Sequence, residues 1–330
     1  MSGRRALDRR SLLGGLGAAA LGVACAKSQE VIVETAAGLR VDDARIDEDP
    51  WALLPSGAVS WWGLGARELF AAKFGPQVVA LLQRTLPVPT GSGYEPGRDV
   101  DAVALGLYTF SGVDVAGIAT GRFDANGFEQ AATQGARTVT GRPVTRTTYA
   151  GRPLFLSDGV GLTVLTSRTM AFGNEVGIRR VLDRIEEGRV ARATPAWFEE
   201  LLSAGAPLAW GVDLAAHPLP DAARRQVQFL DGLRAARLLG NFQEPGINLA
   251  GTLTYDAEEA AQRGVTTLRA SAEALRTYEW LMALVGILQP VRRLDAQVQG
   301  TEAQVVAEVD GAAVGSLLGN AERLIAMVAG

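Results

Sequence analysis

Landmarks in the first half of this chain of 330 residues return in the second half at a nearly fixed distance. Tyr108 and Tyr255, Arg122 and Arg269, Phe128 and Leu275, and Pro143 and Pro290 are each 147 positions apart. Trp62-Gly63 and Trp210-Gly211 are 148 apart, and Glu95-Pro96-Gly97 and Glu244-Pro245-Gly246 are 149 apart. Val181-Leu182 matches Leu317-Leu318 at only 136, so the second copy reads as shorter by about one strand. Matches that keep their order imply one supersecondary unit used twice. This predicts an α+β repeat over residues 58–203 and a second over 204–330.

Periodicity fills in each repeat. Ala58–Leu64 reads as a strand. Ala66–Leu86 has apolar residues at helical spacing (Leu69, Phe70, Phe74, Val78, Leu81, Leu82) and stops before Pro87. Val100–Phe110 and Val113–Phe123 read as a hairpin, and Asp124 as the cap of a helix over 125–134. Strands follow near 144–149, 153–157, 161–166 and 169–173, with Asp158-Gly159 a turn signal. Asn174 then caps a helix with Ile178, Val181, Leu182 and Ile185 on one face. Thr194 is expected to cap a short helix through Glu199 that joins the copies. The second copy reads as strand 208–213, helix 221–239, strands 248–255 and 264–271, helix 272–288, strands 292–299 and 303–309, and helix 312–328. Short turns between sequential strands make them antiparallel. The expected fold class is therefore α+β, with two tandem repeats of antiparallel sheet and helices packed on one face. The opening β-α-β-β-α-β order of each repeat resembles a ferredoxin-like unit.

Ahead of the repeats stands the one uninterrupted apolar run, Ser11–Ala24, closed by Cys25, the sole cysteine. Its 14 residues would make a helix of about 20 Å, short of the roughly 20 residues a membrane span needs. With Arg4, Arg5, Arg9 and Arg10 before it, residues 1–24 have the parts of an export signal. Arg9-Arg10-Ser11-Leu12-Leu13 resembles the twin-arginine export signal, and general secretion is the alternative route. Ala24-Cys25 resembles the bacterial lipoprotein box, although Leu21 stands one place earlier than that pattern has it and Gly22 fills the position. The resemblance implies a lipidated Cys25 and so a membrane anchor, since two or more acyl chains tether stably. Ala26 after the cysteine, in place of Asp, points to the outer membrane. Ala24-Cys25-Ala26 is also an Ala-x-Ala cleavage site, whose use would leave a soluble periplasmic or secreted protein. Residues 25–57, with the acidic stretch Val41–Pro50, read as a lipidated N-terminus and loosely ordered tether. Anchor and body together resemble uncharacterised bacterial envelope lipoproteins with duplicated α+β bodies. With its single thiol lipidated, the body must be stable through its core, without disulfides.

Residues 1–24 carry +3 of formal charge and the whole chain −4, so residues 25–330 carry −7. This balance excludes the basic footprint that nucleic acid requires. Catalytic signatures are missing too. His217 is the only histidine, it precedes Pro218, and no Gly-x-Ser-x-Gly elbow accompanies it. One His and one Cys do not build a zinc site, and no cofactor is implied. Gly91-Ser92-Gly93 lacks the lysine of a phosphate loop and reads as a flexible loop. Glu95 and Glu244 recur before Pro-Gly and read first as turn residues, with a paired-carboxylate hydrolase as the alternative.

Three residues are candidate contacts for a ligand or partner. Trp61 and Trp62 point to opposite faces of one strand. Trp210 repeats Trp62, so Trp62 is expected in the core and Trp61 is the better candidate for an exposed aromatic contact, with a Trp61 covered by its own helix as the alternative. Arg122 and Arg269 recur at predicted strand ends. The functional expectation is a non-enzymatic, lipid-anchored envelope protein that binds or scaffolds an envelope protein. A periplasmic carrier of a lipid or other apolar ligand, and a carboxylate-dependent hydrolase, are the alternatives.

Overall fold

The computed structural model describes residues 41–110, 114–132, 135–220, 224, 227–277 and 289–319. The proposed export signal, Arg9, Arg10 and Cys25 lie outside these residues.

Twelve antiparallel strands form one continuous sheet in the order β11-β12-β10-β9-β8-β1-β2-β3-β7-β6-β5-β4. The first half supplies β1 (Ser60–Gly65), β2 (Val100–Leu107), β3 (Val115–Gly121), β4 (Thr145–Tyr149), β5 (Arg152–Ser157), β6 (Val160–Val164) and β7 (Thr169–Asn174). The second supplies β8 (Leu208–Asp213), β9 (Leu233–Asn241), β10 (Gly246–Tyr255), β11 (Val291–Gln299) and β12 (Glu302–Asp310). The halves meet where β1 pairs with β8, and Trp62 stands directly opposite Trp210 with ring centroids 5.5 Å apart. The Trp210 indole donates to Ser60 Oγ at 3.0 Å, and Ser60 donates to the Gly211 carbonyl at 3.1 Å. The α+β class and the antiparallel pairing are as expected, and the two halves share a single sheet.

Both faces of the first half are covered. On the face of Trp61 lie α1 (Asp43–Glu48), a 3-10 turn (Pro50–Leu53), α6 (Glu175–Glu186) and α7 (Ala196–Ser203). Ile46, Leu53, Leu54, Ile178, Val181, Leu182 and Phe198 pack there against Trp61, Ala104, Ile118 and Ala171. On the face of Trp62 lie α2 (Ala66–Ala71), α3 (Gly75–Thr85), α4 (Pro96–Asp99) and α5 (Ala125–Ala131), with Phe123, Phe128, Phe155, Leu162 and Met170 in the core. The second half has α8 (Glu258–Thr277) on the Trp62 face, where Ala260, Ala261 and Val265 pack on Ala236, Leu253 and Ala303. Its other face shows the rows Arg237-Thr252-Gln304-Gln297 and Leu239-Ala250-Val306-Asp295. No described helix covers β10, β11 or β12 there, and Val306 is 45 % exposed. Helices on one face thus describes β10, β11 and β12 of the second half, whereas α7 also covers β8 and β9 and the first half is sandwiched.

Several local expectations are corrected. The acidic stretch read as tether is folded: Ile46, Leu53 and Leu54 are 0 % exposed. Its acids are structural. Asp42 caps α1, Asp47 accepts from the hydroxyls of Thr166 at 2.5 Å and Thr169 at 2.6 Å, and Asp49 receives Arg192 at 2.5 Å. The single helix over 66–86 is broken at 72–74, because a Cβ on Gly75 would lie 2.0 Å from the Phe70 carbonyl and only glycine admits that bend. Within the expected helix 221–239, the described residues 233–241 form β9. Arg and Ala gave that segment helical propensity, but Gly232 at φ 75° turns the chain and β8 and β10 capture it from both sides. The expected strand 264–271 is the middle of α8, where burial of Val265 beside Ala260 and Ala261 overrides the β-branched run Val265-Thr266-Thr267. Thr194 does not cap α7; Pro195 precedes it, and the Thr194 hydroxyl donates to the Glu199 carboxylate. Residues 311–319 are helical, and the remainder of that expected helix, like 278–288, lies outside the described residues.

Candidate binding cleft

Of the candidate contacts, Arg122 lines a cleft and the other two do not. Trp61 is 1 % exposed and packs on Phe198 at 6.1 Å between centroids, so the expectation that it faces outward is reversed. Cover by a helix, the alternative reading, is what the structure shows, though the helix is α7. Trp62 is half-buried against Trp210. Arg269 sits in α8, where its guanidinium donates to the Ala296 carbonyl and ties the helix to edge strand β11. It is not the counterpart of Arg122, which follows β3.

The cleft has a volume of about 600 Å³ and opens at the end of the sheet where β3 finishes. Its floor is aromatic: Tyr94 lies 6.1 Å from Phe123 and 5.5 Å from Phe128 between centroids. Burial, with Asp99 nearby, pushes the Tyr94 hydroxyl well above its ordinary pKa, so it stays a neutral phenol. Arg98, Arg122 and Arg168 stand around the floor. The main chain fixes two of them. The Arg122 N–H donates to the Asp99 carbonyl at 2.8 Å, and the Gly121 N–H to the Arg168 carbonyl at 2.9 Å. A Cβ on Gly121 would lie 1.9 Å from the Asp99 carbonyl, so this close approach requires glycine. Arg168 occupies a turn between β6 and β7 in which the Thr166 hydroxyl accepts the N–H groups of Arg168 and Thr169, each at 3.0 Å.

Both carboxylates of the cleft are engaged. Asp99, 7 % exposed, holds Arg98 in a fork, with Nε and Nη2 each 2.7 Å from its oxygens, and accepts the Glu95 N–H at 2.8 Å. Burial alone would raise the Asp99 pKa; hydrogen bonds from Arg98 and Glu95, and the charges of Arg98 and Arg122, hold it below the usual carboxylate range. Asp124 caps α5, accepting the Asn126 N–H at 3.1 Å. The glycine-rich segment read as a flexible loop forms a wall, with Ser92 buried and the Gly93 carbonyl accepting Arg98 at 2.6 Å.

Neither Glu95 nor Glu244 lines the cleft. Glu95 precedes α4 at the start of β2, and Glu244 lies in the turn between β9 and β10. Strands β2 and β9 are three ladder spacings apart, about 14 Å, against the roughly 5–9.5 Å of glycosidase carboxylates. His217 follows β8 at the opposite end of the sheet from Arg122. Among the described residues no cluster of His, Cys, Asp or Glu could hold a metal ion. Arg98, Arg168 and Tyr94 were not singled out from sequence; the one available signal was an arginine at the tip of a tight turn, Ser167-Arg168.

Neither a family model nor a curated protein matches this chain. Two solved structures of TP0453, its crystal forms I and III, share the fold. Their TM-scores are 0.50 and 0.51 at 10% and 11% identity, covering 82% and 81% of this chain and 96% of TP0453. At that identity the likeness is one of fold.

Proposed function

We propose that this chain is a non-enzymatic envelope protein, held to the membrane by lipid on Cys25, whose body binds a partner or ligand at the Arg122 cleft. One observation carries the binding role: among the described residues neither Arg122 nor Arg168 forms a salt bridge with a carboxylate, while the two acids of the cleft are committed to structure. That inventory suits recognition better than bond breaking, which calls for a free acid, base or nucleophile. The export signal and the lipoprotein box support the envelope placement, with the outer membrane favoured. The fold shared with TP0453 is compatible with it. No helix among the described residues is long and apolar enough to span a membrane.

Photocrosslinking from Ser167 in intact envelopes tests the reading. A defined adduct is expected, present with the wild-type chain and lost when Arg122 and Arg168 are both changed to Ala. Absence of any adduct at native expression would remove the binding role. Release of a Cys25→Ala variant from the membrane fraction is expected in parallel, and retention would remove the anchor.

A carrier of apolar ligands is the second reading. An apolar pocket on the Trp61 face, lined by Trp51, Leu202 and Ala209, favours it. Its volume of about 190 Å³ falls below the roughly 300–1,000 Å³ of small-molecule sites. A bare protein mass in native mass spectrometry would dismiss the carrier.

A further inference from the structure

The cleft holds more cationic donors than its own architecture uses. Arg98 is consumed by Asp99 and the Gly93 carbonyl. Arg122 gives one N–H to the Arg98 carbonyl at 3.0 Å and keeps its remaining donors for solvent. The Arg168 guanidinium has no protein partner among the described residues, and both side chains are exposed. A guanidinium presents its donors as a rigid fork that matches the oxygens of a carboxylate or phosphate. A single fork satisfies a carboxylate's two oxygens. Two forks on neighbouring fixed points suit a group with three terminal oxygens and two negative charges.

Position strengthens the case. Arg122 and Arg168 are carried on backbone locked by the Gly121 bond to the Arg168 carbonyl and the Phe123 bond to the Ser167 carbonyl, each 2.9 Å. Neither guanidinium must drag a loop into order to engage an anion, which lowers the entropic cost of binding. Ser167 lines the cleft with them. The lining charges are Arg98, Arg122 and Arg168 against Asp99 and Asp124, a local excess of positive charge on a chain whose formal net charge is −4. A cleft of opposite sign to its surroundings concentrates counter-ions within it. Beneath lies the ring of Tyr94, part-exposed and backed by the buried Phe123 and Phe128, which offers an apolar surface to whatever bears the anion.

We infer that this cleft binds a phosphate monoester whose phosphate is gripped by Arg122 and Arg168 and whose apolar or ring-shaped body lies on the Tyr94–Phe123 floor. The inference rests on the reading of the cleft as the binding site and adds the chemistry of the ligand. The phosphate can belong to a soluble ester or to a lipid headgroup.

The test uses the full chain in detergent micelles, with calorimetric titration of inorganic phosphate and phenyl phosphate, and vesicles containing phosphatidic acid as a separate arm. Phenyl phosphate is expected to bind saturably and more tightly than inorganic phosphate. Arg168→Ala and Arg122→Ala are each expected to weaken it by about tenfold or more, with Arg168→Lys intermediate. Both residues are exposed, and a melting curve verifies that the variants stay folded. Binding confined to phosphatidic acid vesicles and lost in the Arg variants assigns the phosphate to a lipid. Affinity unchanged by Arg168→Ala, or no binding of any probe by the wild-type chain, overturns the inference. If the Ser167 crosslink still depends on both arginines in that event, the cleft remains a binding site for another class of partner, so the two failures are distinguishable.

Discussion

The two halves of the sheet solve the same problem with different amounts of cover. Strands β3 and β6 read Val-Ala-Gly-Ile-Ala-Thr-Gly and Val-Gly-Leu-Thr-Val, close to continuous apolar runs, and helices lie on both of their faces. Strands β11 and β12, Val-Arg-Arg-Leu-Asp-Ala-Gln-Val-Gln and Glu-Ala-Gln-Val-Val-Ala-Glu-Val-Asp, alternate more, and helix α8 lies on one face. A strand buried on both faces must be apolar throughout, whereas a half-solvated one carries polar residues on its wet side. The difference teaches that the first half is the stability reservoir. It can therefore hold a cleft with locked backbone and uncommitted charges at its rim.

The sharpest way to break this contrast is to remove a large side chain from the doubly covered side. Trp61→Ala should lower unfolding free energy by about 3–5 kcal/mol in urea titration, as for other buried aromatics. A loss below about 1 kcal/mol would mean that the Trp61 face is loosely packed and the sandwich description wrong.

Acid titration separates the halves by an intermediate amount. Each half has one nearly buried aspartate whose pKa lies below the usual range: Asp99 in the first, and Asp310, held by Ala313 N–H and Arg292 against the opposing effect of burial, in the second. A depressed folded-state pKa gives stability that is present above the unfolded value, about 4, and lost as pH falls through the folded value. Stability is therefore expected to decline below about pH 4. Asp99→Asn should cost about 1–3 kcal/mol at neutral pH, since it removes the buried carboxylate that Arg98 and the Glu95 N–H share, and should flatten the acid limb. An acid limb that keeps its full slope in Asp99→Asn would show that this carboxylate is not depressed.

The smallest effect is expected on the bare face. Val306→Ser, on the uncovered side of β12, should change stability by no more than about 0.5 kcal/mol in the same titration. A loss above about 1.5 kcal/mol would show that something covers that face.

The contrast also explains how far the sequence could be read. Alternation and turn chemistry located most strands, and Asp124 and Asn174 cap their helices as their residue types require. The Asp158-Gly159 turn was likewise legible, both residues taking positive φ. What failed was decided at long range. Residues 233–241 and 264–271 have local preferences opposite to the structures that their neighbours impose. Of the residues matched by spacing, Trp62 and Trp210 are partners across the seam, whereas Tyr108 follows β2 and Tyr255 ends β10. Of the cleft, only Arg122 was visible, because its neighbour Arg168 arrives through the pairing of β3 with β7 and not through any local motif.

Residues 41–54 depend on partners that are made much later in the chain. Asp47 waits for Thr166 and Thr169, 119 and 122 positions later, and Asp49 for Arg192, 143 later. Ile46, Leu53 and Leu54 leave the ribosome long before α6 and α7 exist to cover them. A nascent polypeptide with such greasy early residues is exposed to aggregation until some two hundred amino acids have emerged. A holdase, or an export route that delays compaction, would act within that interval.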